Sequence, residues 1–120
     1  MDTLRGTRPS RTADTLCHGD FSMDQVVVDD DGELGLLDWD RAGRGNPAGD
    51  LASAIAAESE ETATSAILTG YTRVLPVPRD LDWQLASARL QRLAEPFRLA
   101  SPTWLTQLER NVAVLEATVP

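Results

Sequence analysis

Two apolar runs, Val26-Val27-Val28 and Leu34-Gly35-Leu36-Leu37, flank Asp29-Asp30-Asp31-Gly32, and no other stretch of the chain constrains its fold as much. β-Branched residues before an aspartate-glycine turn predict a β-hairpin over residues 26–38, because glycine reaches the positive φ that such a turn requires. Past this hairpin the apolar spacing becomes helical. Asn46-Pro47 offers an N-cap followed by proline at the first helical position, so a helix is expected to start near Pro47. Leu51, Ala54 and Ile55 form its stripe, and Ala63, Ala66, Ile67 and Tyr71 form a second one before Pro76 and Pro78 interrupt the chain. Trp83, Ala86, Leu90, Leu93 and Phe97 predict an amphipathic helix over 80–100, kinked or shortened by Pro96. Ser101-Pro102 caps a last helix carrying Leu105, Leu108, Val112 and Leu115, all expected as core or partner-helix contacts. Ala42-Gly43-Arg44-Gly45 reads as a loop, and residues 1–14, polar and aperiodic, read as a flexible lead-in. The fold class is therefore α+β, a small hairpin followed by about four helices.

A chain of 120 residues is one domain with a modest core. The single Cys17 allows no internal disulfide and reads as a small core residue. No apolar run approaches the ~20 residues of a spanning helix, and the polar start has no signal-peptide core. A cytoplasmic chain with no membrane partner is expected. With 11 basic and 19 acidic residues the formal charge is −8, which disfavours nucleic acid and favours a cationic ligand or a metal. Every basic residue is an arginine, so mechanisms that need a lysine amine are excluded: a Walker-type phosphate loop, a Schiff base, a lysine anchoring nucleotide phosphates.

The acids concentrate between residues 20 and 40, where Asp20, Asp24, Asp29, Asp30, Asp31, Glu33, Asp38 and Asp40 occur with no arginine among them. So many like charges are either spread over solvated turns or neutralised by a cation. Asp29, Asp30, Asp31 and Glu33 fall at the turn and read as solvated. Asp38 ends the returning strand and Asp20 follows Leu16-Cys17, so these two carboxylates are expected to meet at the open end of the hairpin, where ligands commonly sit.

Leu16-Cys17-His18-Gly19-Asp20-Phe21-Ser22-Met23-Asp24-Gln25 resembles the H-G-D-x-x-x-x-N catalytic loop of the aminoglycoside phosphotransferase and choline kinase family. The stretch from Leu36-Leu37-Asp38-Trp39-Asp40 through Asn46-Pro47 to Asp50-Leu51-Ala52 is similar to that family's second signature, I-D-W-[DE], a glycine loop, N-P and D-L-A. The resemblance implies a kinase-like C-terminal lobe over 15–120, with the catalytic loop and metal-binding hairpin in 15–46 and the helical part in 47–120. It implies Asp20 as the base that orients or deprotonates a substrate hydroxyl, with Mg²⁺ and ATP as cofactors. Asp38 is then a magnesium ligand, and Gln25 a second one in place of the usual asparagine, its amide oxygen one methylene further out. His18 is implied as a structural support of the loop, and Asp50 reads as structural because a carboxylate in the first turn of the helix after Pro47 is stabilised by free backbone N–H groups.

The substrate is a hydroxyl-bearing small molecule of unspecified kind; Glu58, Glu60, Glu61 and Asp82 either attract a cation there or are solvated surface. No glycine-rich strand-turn-strand precedes His18, so the nucleotide lobe is expected to be absent, and the uncovered core to self-associate or to meet a separate chain carrying that lobe. Two alternatives stand beside this reading. One is a non-catalytic half-domain acting as an interaction or metal-binding module. The other is a haloacid-dehalogenase-type phosphatase, since Leu34 to Asp40 also resembles its strand-D-x-D segment, with Asp38 as nucleophile and Asp40 as acid/base.

Overall fold

The structure, a computed structural model, describes residues 14–118. The lead-in expected over 1–14 lies, except for Asp14, outside the described residues. In chain order the elements are β1 (Thr15–Cys17), a 3₁₀ turn (Met23–Gln25), β2 (Val26–Val28), β3 (Leu34–Leu36), β4 (Gly43–Gly45), α1 (Pro47–Ala57), α2 (Glu61–Thr72), α3 (Leu81–Arg92), the single-turn α4 (Glu95–Arg98) and α5 (Trp104–Thr118). The class is α+β, with two antiparallel strand pairs and four longer helices. Among the described residues no helix is long and apolar enough to cross a membrane.

The hairpin forms where the apolar runs place it, with Val26 opposite Leu36 and Val28 opposite Leu34. Its turn is closed by Gly32 N–H donating to Asp29 O at 3.0 Å, with Gly32 at φ 83°. The Asp29 carboxylate accepts from the N–H groups of Asp31 and Glu33, both at 2.9 Å, so one of the turn acids has a local structural use. The returning strand stops at Leu36, and Asp38 lies beyond it at φ 62°.

The second strand pair was not foreseen. The glycine-containing segment read as a loop is β4, paired with β1 so that Thr15 faces Gly45 and Cys17 faces Gly43. Composition argues against a strand at Gly43-Arg44-Gly45; pairing across nearly thirty residues of chain overrides it, as tertiary context does for weak β-formers. Arg44 adds an exposed ion pair to Asp14 at 3.4 Å.

Helix α1 starts where Asn46-Pro47 predicts. The Asn46 side-chain oxygen accepts from Ala48 N–H at 2.9 Å, and its amide nitrogen donates to Asp80, tying the cap to the start of α3. Along α1, Ala48, Leu51, Ala52, Ala54 and Ile55 are buried. The alanines let α3 approach through Ala86, while Leu51, Ile55 and Leu81 fill the middle with Ile67, Leu68 and Tyr71 of α2 against them. Burying a leucine or isoleucine of this kind contributes about 1.5–3 kcal/mol, so α1 is the stable base on which the N-terminal loops rest.

The helix expected over 80–100 is shorter. It ends at Arg92, because Pro96 has no N–H to give to the Arg92 carbonyl, and the chain restarts as α4 with Pro96 in its first turn. Phe97 is 65 % exposed and Leu105 54 % exposed, so neither is core; Phe97 packs edge-on to Trp104 at 5.3 Å between ring centres. Helix α5 has no buried residue and lies on α3 and α4. An apolar groove of about 710 Å³ runs between β1, the following loop, α1 and α2, lined by Leu16, Phe21, Met23, Leu51, Ile67 and Tyr71 among others.

Candidate active site

Strand β1 carries the chain into His18, which is 3 % exposed. The imidazole lies 4.9 Å from the Trp39 ring and 5.8 Å, edge-on, from Phe21. Its Nε2 sits 2.8 Å from Leu37 O, an atom that only accepts, so Nε2 carries the hydrogen. Nδ1 is then the acceptor for Asp20 N–H, at 3.3 Å. Trp39 Nε1–H donates to Leu36 O at 2.8 Å. His18 thus links the loop holding Asp20 to the segment leading into Asp38, through backbone atoms of both.

Gly19 and Asp50 complete the brace. Gly19 has φ 93°, and a Cβ built on it would lie 2.2 Å from Arg41 O, so only glycine lets residues 18–20 pass beside the segment after Asp38. The Asp50 carboxylate accepts from His18 N–H at 2.8 Å through Oδ2 and from Gly19 N–H at 3.0 Å through Oδ1. A carboxylate in the first turn of α1 is expected to meet that helix's own free N–H groups. Instead it reaches across to the loop, because β1 packs on α1 and the N–H of the buried His18 needs an acceptor. Cys17, 7 % exposed, closes the floor. Burial, with the Asp50 and Asp14 charges behind it, pushes its thiol above the ordinary value, so it is a neutral packing group.

The carboxylates of Asp20 and Asp38 both lack a hydrogen-bond partner among the described residues; Asp20 is half-buried and Asp38 exposed. They do not line a common cavity: Asp20 faces a polar one and Asp38 does not border it. Gln25 lies near Asp38, because Leu37 N–H donates to Gln25 O at 2.9 Å and extends the β2–β3 ladder by one step. The Gln25 amide oxygen also accepts Ser22 N–H at 3.2 Å, which leaves one lone pair for another partner. Among the described residues no three His, Cys, Asp or Glu side chains gather as a metal cage. Asp38 and Gln25 present hard oxygen atoms, the donor type that Mg²⁺ and Ca²⁺ prefer.

The cavity beside Asp20 measures about 530 Å³ and is walled by α1, α3, α4 and the loops of Gly19 and Arg41. Gln84, Ser87 and Gln91, spaced i, i+3 and i+7 on α3, line it, with Arg41, Arg92 and Arg98. The acids weighed as a cation site or solvated surface do not line it: Glu60, Glu61 and Asp82 are exposed outside it, and Glu58 borders the apolar groove. The sequence signal for this wall is the polar stripe Gln84, Ser87 and Gln91 on α3, which apolar periodicity does not reveal.

The fold and the braced loops define a small α+β protein with carboxylates on two adjoining loops. The sequence model of the phosphotransferase enzyme family matches residues 1–82, more than half of the chain, and the protein belongs to that family, of the aminoglycoside phosphotransferase-like kind. Comparison with curated proteins and with solved structures gave no match. Membership removes the ground for reading Asp38 and Asp40 as a phosphatase pair.

Proposed function

We propose that this protein transfers the γ-phosphoryl group of a nucleoside triphosphate, ATP in the first instance, to a hydroxyl of a small molecule, on a kinase-like C-terminal lobe. The observation that carries the reading is the Asp20 carboxylate, without a hydrogen-bond or ion-pair partner among the described residues, at the wall of a polar cavity while the loop backbone is fixed by His18, Gly19 and Asp50. A base must reach the hydroxyl proton without being neutralised by a neighbour; Asp20 lines the cavity where a substrate would sit and has no ion pair among the described residues, which supports the role. Asp20 accepts that proton as the hydroxyl oxygen bonds to phosphorus, the bond from phosphorus to the bridging oxygen breaks, and the nucleoside diphosphate leaves with the electron pair. Asp38 and the Gln25 amide oxygen would hold Mg²⁺. The ion, when bound, offsets the charge of the phosphates. His18 and Asp50 hold the backbone of the loop that carries Asp20, which restricts where its carboxylate can reach.

The test is thermal unfolding of the chain with Mg²⁺, with ATP and with both, beside Asp38→Asn, joined to ATP turnover in Asp20→Asn. Ligand at 100 times its Kd adds about 2.7 kcal/mol of stability. A rise needing both components and lost in Asp38→Asn supports the reading, as does turnover that collapses in Asp20→Asn; no rise and no turnover overturn it. The apolar groove favours a second reading, a non-catalytic interaction module. That reading expects self-association with no response to Mg²⁺ and ATP.

A further inference from the structure

The chain as a whole is acidic, yet the cavity beside Asp20 has the opposite local balance. Three arginines line it, Arg41, Arg92 and Arg98, against two carboxylates, Asp20 and Glu95. Glu95 is spoken for: Arg92 Nη1 donates to both of its oxygens, at 3.1 and 3.2 Å. Arg41 and Arg98 form no ion pair with any described residue, and both are exposed. Two arginines with no ion pair among the described residues therefore line the cavity together with Asp20. A polycation would be repelled by them and would have only Asp20 to pair with, whereas a carboxylate or phosphate matches the planar guanidinium fork with two parallel hydrogen bonds. The rest of the wall is suited to hydroxyl groups: Ser53 from α1, with Ser87 and Gln91 from α3. A volume of about 530 Å³ admits a small polyol and lies within the range of small-molecule sites.

We propose that the acceptor is a small hydroxylated anion, a polyol carrying a carboxylate or phosphate, whose charge is held by Arg41 and Arg98 while one of its hydroxyls faces Asp20. This rests on the reading of Asp20 as the base. It reverses the cationic ligand suggested by the net charge, because net charge averages over acids on distant turns, whereas binding is decided by the groups within a Debye length of the ligand, about 8 Å in physiological salt. The same guanidiniums could take their anion from another source, the phosphates of the nucleotide, and the experiment separates the two.

Binding to the intact chain is measured by isothermal titration with D-gluconate and D-ribose 5-phosphate as anionic probes, D-ribose as the neutral one and D-glucosamine as the cation, each with and without saturating Mg·ADP. The expected result is at least tenfold tighter binding of an anionic probe than of ribose or glucosamine, unchanged by Mg·ADP. Arg98→Gln and Arg41→Gln, whose exposed side chains carry no described contact of the fold, should each weaken it about tenfold, equivalent to about 1.4 kcal/mol. Asp20→Asn should leave anion binding intact or tighter while turnover is lost. Equal or preferred binding of glucosamine, or insensitivity to both arginine substitutions, overturns the proposal. Displacement of the anion by ADP also overturns it and assigns the arginines to the nucleotide. Turnover surviving in Asp20→Asn overturns the phosphotransferase role of Asp20, an outcome distinguishable from failed anion binding.

Discussion

Replacing Asp50 tests whether the loop hangs from α1 by two hydrogen bonds. In Asp50→Ala the His18 N–H loses its 2.8 Å acceptor inside a residue that is 3 % exposed, and an unsatisfied buried donor costs about 1–3 kcal/mol. The Gly19 N–H, whose bond is at 3.0 Å on the solvent side, can turn to water and loses only the net value of a bond, roughly 0.5–1.5 kcal/mol. Together these place Asp50→Ala about 2–4 kcal/mol below the parent, a large share of the ~5–15 kcal/mol that holds a small domain. Asp50→Asn keeps one oxygen for His18 and should lose about 1 kcal/mol. Urea unfolding followed by tryptophan fluorescence measures the change, and with an m-value of roughly 1–2 kcal/mol/M the alanine variant's midpoint falls by at least about 1 M. Amide exchange at Gly19 and Asp20 should accelerate along with it. An alanine variant with the parental midpoint and unchanged exchange at Gly19 would refute the reasoning.

Other substitutions probe the same frame. Gly19→Ala should destabilise by more than about 2 kcal/mol, since its Cβ meets Arg41 O at a left-handed φ, whereas Gly49→Ala in α1, with nothing within 4 Å, should stabilise by roughly 0.5–1 kcal/mol; denaturant midpoints compare them. Asn46→Ala should cost ~1 kcal/mol through the lost cap, read as a lower thermal midpoint. Because burial raises the Cys17 thiol's pKa in the fold, the stability it contributes is full below about pH 8.5 and is lost as pH rises through the folded value. A Cys17→Ala chain should lose less stability than the parent between neutral pH and pH 10, and parallel pH profiles would refute this. Leu16, 72 % exposed, and Leu75, 52 % exposed, flank the apolar groove, so sedimentation of the parent should show a second copy bound and Leu16→Ser should shift it toward monomer; a parent that sediments only as monomer refutes self-association.

Much of the frame was legible because it is local. The hairpin follows from its β-branched run and its Asp-Gly turn, and the start of α1 follows from Asn46-Pro47, each feature lying within a few residues of its cause. What escaped was set by groups far apart in the chain. Gly43-Arg44-Gly45 is a strand only because β1 lies beside it. The reach of Asp50 to His18 and Gly19 depends on how α1 packs, not on the helical turn it occupies. The cavity wall was hidden for a different reason: Gln84, Ser87 and Gln91 share a helix face, but a polar stripe on an amphipathic helix reads as solvent-facing until another surface is found opposite it.

Arg41 divides its work between two parts of one residue. Its carbonyl oxygen sets the closeness of the Gly19 backbone, and the residue lines the polar cavity with an exposed side chain. The carbonyl is common to all amino acids, so the side chain is free to change while the spacing of the loops stays the same. On the proposed anion site, variation at this position would change which molecules are accepted at little cost to folding, so single replacements there would be a route by which descendants of this sequence diverge in selectivity.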